Sequence, residues 1–397
     1  MYKSSGPEYT INGKTIEVFP FWPNYKRDFI ERWEWKTSVL TSFNGDEQRA
    51  AIRQYPRRSF EYQVFAQGSD KAALNHFLQA GASTLYGVPD WNWGEMLQPT
   101  TTQDLSYYLP ISTTGFIADG YIVGFIDPTL YELRKVVAID GAGVQLDGAV
   151  DWPPGTLVHP VIPALLNKEQ AVVHTTGLLA EPIISFNCLP SLSPFDASDT
   201  PYPVYAGFYV LEQPFEQGQS TTLDYVYKTD TLDNGVGSPW VDIESYSPGI
   251  AQPKQWFLNG HDAITNFLRF SHFCAGRLKP FWVPSGTWDA EIVSITGTSI
   301  VITDSAYARL VPNKPHRQHL RITSAFSTYY RKIVSSASGG DLETLTLDTS
   351  LPITASEVTG FSFLWLVRFD ADRIEVAYMH ASLAKAVTPV RTLNHDI

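Results

Sequence analysis

The chain has 397 residues, 44% of them apolar and 18% charged, with a formal net charge of -12. That composition is globular, long enough for two or three domains with sizeable cores, and too acidic for a general nucleic-acid binder or a protein that docks on an anionic membrane. Two cysteines, Cys188 and Cys274, are too few for a disulfide framework or a four-thiolate zinc site and read as small core residues. No apolar run is long enough to cross a bilayer, and the start, MYKSSGPEYT, has no basic-then-apolar signal segment, so folding in a cytosol is expected.

Gly and Pro number 27 each, aromatics make up 13%, and short Val/Ile/Thr/Tyr runs lie between turn residues. This predicts a mainly β fold (β-rich α+β) with few helices. In chain order, YTINGKTIEVF and RDFIERWEWKT read as strands. Trp33 and Trp35 alternate with Glu34 and Lys36, the period-two mark of a half-buried strand. The next strand, SFEYQVF, starts near Ser59, so a long loop is expected between them, carrying Asp46, Glu47, Arg49, Arg53, Arg57 and Arg58 after the turn signal Asn44-Gly45. Ser69 or Asp70 is placed to cap a helix whose Leu74, Phe77 and Leu78 share one apolar face, with Gly81 at its end. The aromatic strand TLYGVPDWNW follows, its Trp91 and Trp93 read as core or interface residues. Short strands over about 97–166 predict a small β-barrel or sandwich inserted before the last strands of the first half.

LPSLSPFDASDTPYP is the best linker, and the second half then repeats the first. YVYKT answers WEWKT, with Tyr227 standing 192 residues after Trp35. Ile264, Phe267 and Leu268 repeat the helical face, Val283-Pro284 answers Val88-Pro89, and IEVAYMHASLAKAVTPVRTL answers AVVHTTGLLAEPIISFNCL. Its counterpart of the arginine-bearing loop, DNGVGSPWVDIESYSPGIAQPKQ, carries no arginines. The organisation expected is two tandem modules, 1–192 and 203–397, joined by a linker at 193–202. Each is a β-sandwich with one helix and an inserted small β-domain, the inserts lying at about 97–166 and 289–367.

Chemistry-bearing motifs are absent: there is no G-x-S-x-G, P-loop or H-E-x-x-H, and no catalytic, cofactor-binding or metal-binding residue is assigned. His316 and His319 in PHRQH have no third ligand at a recognisable spacing and read as surface residues. Asp370 and Asp372 in FDADR read as an exposed strand end. The loop from Asn44 to Arg58 admits three readings: a nucleic-acid contact, a solvated surface, or a contact with a neighbouring subunit. The last is favoured, since arginine suits interface ion pairs through its planar fork.

The string S-x-N-G-x-E-Q-R (Ser42, Asn44, Gly45, Glu47, Gln48, Arg49), then Pro56-Arg57-Arg58, an amphipathic helix and Pro89-Asp90-Trp91, resembles the distal tail and minor tail proteins of long-tailed bacteriophages. The resemblance implies tail-tube-like sandwich modules and a non-enzymatic virion protein of the tail tip. It would form a ring that joins the tail tube to hub and tip proteins and lets DNA pass without specific binding. Such a protein is assembled in the host cytoplasm, has no membrane contact and takes no cofactor. Asn44, Gly45, Glu47, Arg49, Arg53, Arg57 and Arg58 are then the expected inter-subunit contact loop. Single-ring-module relatives differ from this chain, which carries two modules. Three chains then suffice for a six-module ring, a trimer with pseudo-sixfold symmetry slightly favoured over a hexamer. The alternative is a carbohydrate-binding or glycan-active tail-tip protein that uses the inserted β-domains.

Overall fold

The structure is a computed structural model that describes residues 4–42, 45–81, 83–98, 106–174, 176–190, 193–195, 200–215, 222–243, 248–312 and 314–393. It is mainly β, built around one large and largely antiparallel sheet. The first half contributes β1 (Phe29–Glu34), β2 (Thr37–Thr41), β3 (Glu47–Ala51), β4 (Arg57–Gln63), α1 (Ser69–Gln79), β5 (Leu85–Pro89), β6 (Leu157–Leu166) and β7 (Ile183–Cys188). The second half contributes β8 (Asp224–Val226), β9 (Thr229–Leu232), β10 (Trp240–Ile243), β11 (Gly249–Asn259), α2 (His261–Cys274), β12 (Phe281–Pro284), β13 (Val358–Phe369), β14 (Arg373–His380) and β15 (Leu383–Thr392).

The two halves share a pairing scheme. In the first, β4 pairs antiparallel with β1 and β7, and β6 pairs with β7 and β5. In the second, β11 pairs with β8 and β15, and β13 pairs with β15 and β12. Each half also carries an antiparallel hairpin directly after β1 or β8, β2–β3 and β9–β10.

These hairpins lie where loops were expected. EQRAA has little intrinsic strand preference, and its ladder to TSVLT forms through backbone bonds instead. Its turn is closed by Gly45, at φ +93°, donating to the Ser42 carbonyl at 3.0 Å, while Ser42 N–H donates to the Asp46 carbonyl. The later part of the second expected loop, GIAQPKQ, opens the 11-residue strand β11. Pro253 is tolerated there because, among the described residues, β8 stops at Ala251 and the next pairing on that edge of β11 is the isolated bridge of Phe215 to Trp256.

The inserts continue the sheet rather than standing apart. Tyr121–Asp127 pairs with β6 and with Leu130–Asp140; His319–Ser324 pairs with β13 and with Thr328–Gly339. A small separate core under the first insert includes Leu109, Ile122, Val144 and Trp152. The main core is continuous through both halves.

α1 and α2 each begin after a glycine, Gly68 and Gly260, at positive φ and with no side-chain cap. Ser69 and Asp70 are therefore inside the first turn, where Asp70 and its counterpart Asp262 suit the helix dipole. α2 buries Ile264, Phe267, Leu268 and Phe270; α1 buries Ala73 and Leu74, with Phe77 and Leu78 packed at its edge. No described helix is long and apolar enough to cross a membrane.

Candidate assembly interface

The first and second halves are joined edge to edge. β1 pairs antiparallel with β14, from Phe29 opposite Tyr378 to Glu34 opposite Arg373. Charge is matched across the seam: Arg32 faces Glu375, with its Nε donating to that carboxylate at 2.8 Å and its Nη1 to Glu61 at 2.8 Å. Such contacts between half-exposed groups set register more than they add stability.

Two tryptophans press β1 onto the second half. Trp33 and Trp35 are buried, both edge-on to the His272 ring at centroid distances of 4.7 and 5.3 Å. His272 is neutral, because burial pulls it down to about 4; its Nδ1–H donates to the Leu268 carbonyl and its Nε2 accepts from the Ser193 hydroxyl. Phe195, from the expected linker, is buried and also packs on Trp33.

The turn between β13 and β14 completes this seat. The Asp372 carboxylate accepts from Thr37 N–H at 2.8 Å and Arg277 N–H at 3.1 Å, while its carbonyl accepts from Trp35 N–H. Asp372 is held below the usual carboxylate range, because these hydrogen bonds and Arg277 outweigh the opposing effect of burial. Asp370 accepts from Arg368 at 2.7 Å and Arg391 at 3.0 Å. The two aspartates thus form a working turn at the junction rather than an exposed strand end.

Arg58 lies in a closed charge cluster behind the seam. Its guanidinium donates to Glu31 at 2.6 Å and to Asp90, and lies over the Trp33 and Phe60 rings at 4.7 and 4.6 Å. Tyr378 Oη donates to Glu31 at 2.7 Å, tying the second half into the cluster. Burial acts to lower the pKa of Arg58, but Glu31 and Asp90 outweigh it and raise it. Burial pushes Asp90 up and the Glu31 carboxylate adds to that, with Arg58 opposing.

The β2–β3 hairpin reaches over the second half. Glu47 makes a two-pronged pair with Arg368 of β13, at 2.6 and 2.8 Å. Arg49 lies 4.0 Å from Glu47. Arg53 Nη1 donates to the Glu34 carbonyl at 2.7 Å, and Arg57 is exposed at the start of β4. Asn44 lies outside the described residues. The arginine-bearing stretch therefore does not form one patch. Glu47 and Arg58 tie the two halves of one chain, through different clusters.

Arg368, Tyr378 and His272 escaped the sequence reading; the signal available was the repeat, which matched β14 to the stretch beginning at Ala171 without saying what either one pairs with. His316 and His319 are buried rather than on the surface. His319 is held by Tyr205 Oη at 2.9 Å and faces Trp282 at 4.7 Å, and burial pulls both histidines down to about 4.

Neither a protein-family model nor a curated protein sequence matches the chain.

Proposed function

We propose that this chain is a structural ring protein of a phage tail tip, joining the distal end of the tail tube to the hub and tip proteins and lining the channel through which DNA leaves. The observation that supports this reading is the β1–β14 seam. It joins two similar units through two different surfaces, a head-to-tail contact, and repetition of such contacts closes rings or extends filaments. Two units per chain fit a trimer of pseudo-sixfold symmetry, which can present six similar surfaces to a tube and three to a hub; a hexamer is the competing assembly. The net charge of -12 suits a channel that must let DNA slide, since basic walls would hold phosphates by counterion release. Negative-stain microscopy of the purified protein and of labelled virions tests the reading. Closed rings, or label at the distal end of the tail, are expected; a stable monomer absent from virions would overturn it.

A second reading has one observation in its favour. An open groove of about 610 Å³ beside the second insert is flanked by the exposed Trp288, Thr287, Thr323 and the Glu212–Arg321 pair, a mix of aromatic and polar groups that suits a sugar. Glycan-array binding by the full chain that is lost in Trp288→Ala would support a carbohydrate-binding role.

A further inference from the structure

The seam within the chain leaves its two counterparts uncovered. The counterpart of β1 is β8: Trp33 faces Arg58 on β4, and Tyr225 faces Ile250 on β11, both partners displaced by the same 192 residues. The counterpart of β14 is the stretch 171–174. Ala171 bridges Ile183 and His174 bridges Ala180, as Glu375 and Tyr378 pair with Val387 and Ala384. Among the described residues, no strand pairs with the outer edge of β8 or of 171–174.

The surfaces around these edges differ from the covered seam in one consistent way. Trp33 and Trp35 are 3% and 4% exposed, whereas Tyr225 and Tyr227 are 47% and 66% exposed. Trp33 and Trp35 sit between α2 and the turn leading into β14. The same place in the first half, between α1 and residues 166–172, is a groove of about 350 Å³ in which Leu78, Leu166 and Val172 lie among polar groups that include Asn75, Asn167 and Lys168. A chain with an uncovered Tyr edge at one end and, at the other, a groove of mixed apolar and polar lining that can take a tyrosine ring and its hydroxyl can bind a copy of itself.

The paired positions have also changed together. The Glu31–Arg58 pair of the seam corresponds by register to Leu223 and Ile250. The Glu47–Arg368 pair corresponds to Pro239 on the second hairpin and Leu165 on β6. In each case both members of an ion pair give way to apolar residues, so neither partner would be left as an unpaired charge on burial.

We propose that β8 of one copy pairs with residues 171–174 of the next copy in the register of the β1–β14 seam, with Tyr225 and Tyr227 seated in the groove beside α1. Asp224 then faces Ala171, as Arg32 faces Glu375. The assignment deepens the ring reading above and rests on it for closure, but the contact itself stands on the two free edges.

Facing residues in an antiparallel pair have Cα atoms about 4.5–5.5 Å apart, within disulfide reach. The test is oxidative cross-linking of the full chain carrying Ala171→Cys mixed with the full chain carrying Asp224→Cys. A cross-linked dimer is expected from the mixture and from neither variant alone, and adding Tyr227→Asp to the second variant is expected to reduce it at least tenfold. Tyr227 is largely exposed, so that change leaves folding intact, which circular dichroism checks. Closed rings without mixed dimers would overturn this pairing and leave the ring reading; mixed dimers without rings would support the pairing and sink the ring. Neither product, or dimers from either variant alone at the same yield, would overturn the pairing.

Discussion

Glu47 and Arg368 stand 321 residues apart in the chain and meet in a two-pronged ion pair, at 2.6 and 2.8 Å, with Arg368 only 3% exposed. The pair clamps the first half's hairpin onto β13 of the second. Removing Glu47 leaves the buried Arg368 with Asp370 alone, removing Arg368 leaves Glu47 with Arg49 at 4.0 Å, and removing both leaves neither charge behind. Glu47→Leu and Arg368→Leu are each expected to cost about 2–4 kcal/mol, and the double variant clearly less than their sum, with a coupling of about 1–3 kcal/mol. Denaturant unfolding of the four-member cycle measures it; additivity within about 0.5 kcal/mol would contradict the clamp.

Arg58 carries a larger burden. It is the cation between two buried carboxylates, Glu31 and Asp90, and it supports the Trp33 ring. Arg58→Met keeps the stem and removes the charge. It is expected to cost about 3–5 kcal/mol, seen as a lower denaturation midpoint. Arg57→Met, one residue earlier and exposed, should stay within about 0.5 kcal/mol of the parent.

The seat for Trp35 needs a residue without a Cβ. Gly276 has φ +68°, and a Cβ there would lie 2.7 Å from the Asp372 carboxylate and 3.1 Å from Trp35 Cβ. Gly276→Ala should therefore destabilise by about 1–3 kcal/mol and loosen the junction, read as new proteolytic cutting near residues 193–203. Gly297→Ala, also at positive φ but in open space, is the control that isolates the contact from the backbone cost.

How much of this was legible follows from particular residues. The alternation in WEWKT and YVYKT and the apolar helical faces marked the shared scaffold, because period and burial are local signals. The hairpins and the start of β11 were not legible: EQRAA takes its strand character from its partner TSVLT, and the Pro- and Gly-bearing GIAQPKQ from β15, which is distant in sequence. His316, His319, Asp370 and Asp372 were misread for a related reason. Polar residues are buried or half-buried when partners compensate them: Tyr205 for His319 and Thr37 for Asp372 come from distant parts of the chain, while Asp370 is held by Arg368, two residues away, and by Arg391. The arginine-bearing stretch is visible as a run of charges, but its division between two clusters depends on β4 starting at Arg57.

Lys254 sets a pH dependence. Its ammonium is buried, donates to the Pro284 carbonyl at 3.1 Å and lies over Phe215 at 4.2 Å; burial pulls it down to about 7, with Asp289 opposing. The folded state therefore releases this proton before the unfolded chain does. Below pH 7 both states carry the charge and the cost of burying it is full. Between about 7 and the ordinary lysine range near 10.4 only the unfolded state binds the proton, so this group makes stability rise with pH, by at most ~1.4 kcal/mol per unit. Lys254→Met should flatten that rise and stabilise the protein at neutral pH, measured as unfolding midpoints from pH 6 to 10. An unchanged slope would contradict the assignment.

The central claim is that one head-to-tail contact, seen once within the chain between β1 and β14, recurs between chains and closes a ring. Native mass measurement of the assembled protein tests it most directly. Three chains per closed particle are predicted, with dissociation to monomers in Tyr227→Asp. Six chains would contradict the threefold closure, and a monomer at every concentration would contradict the recurring contact itself.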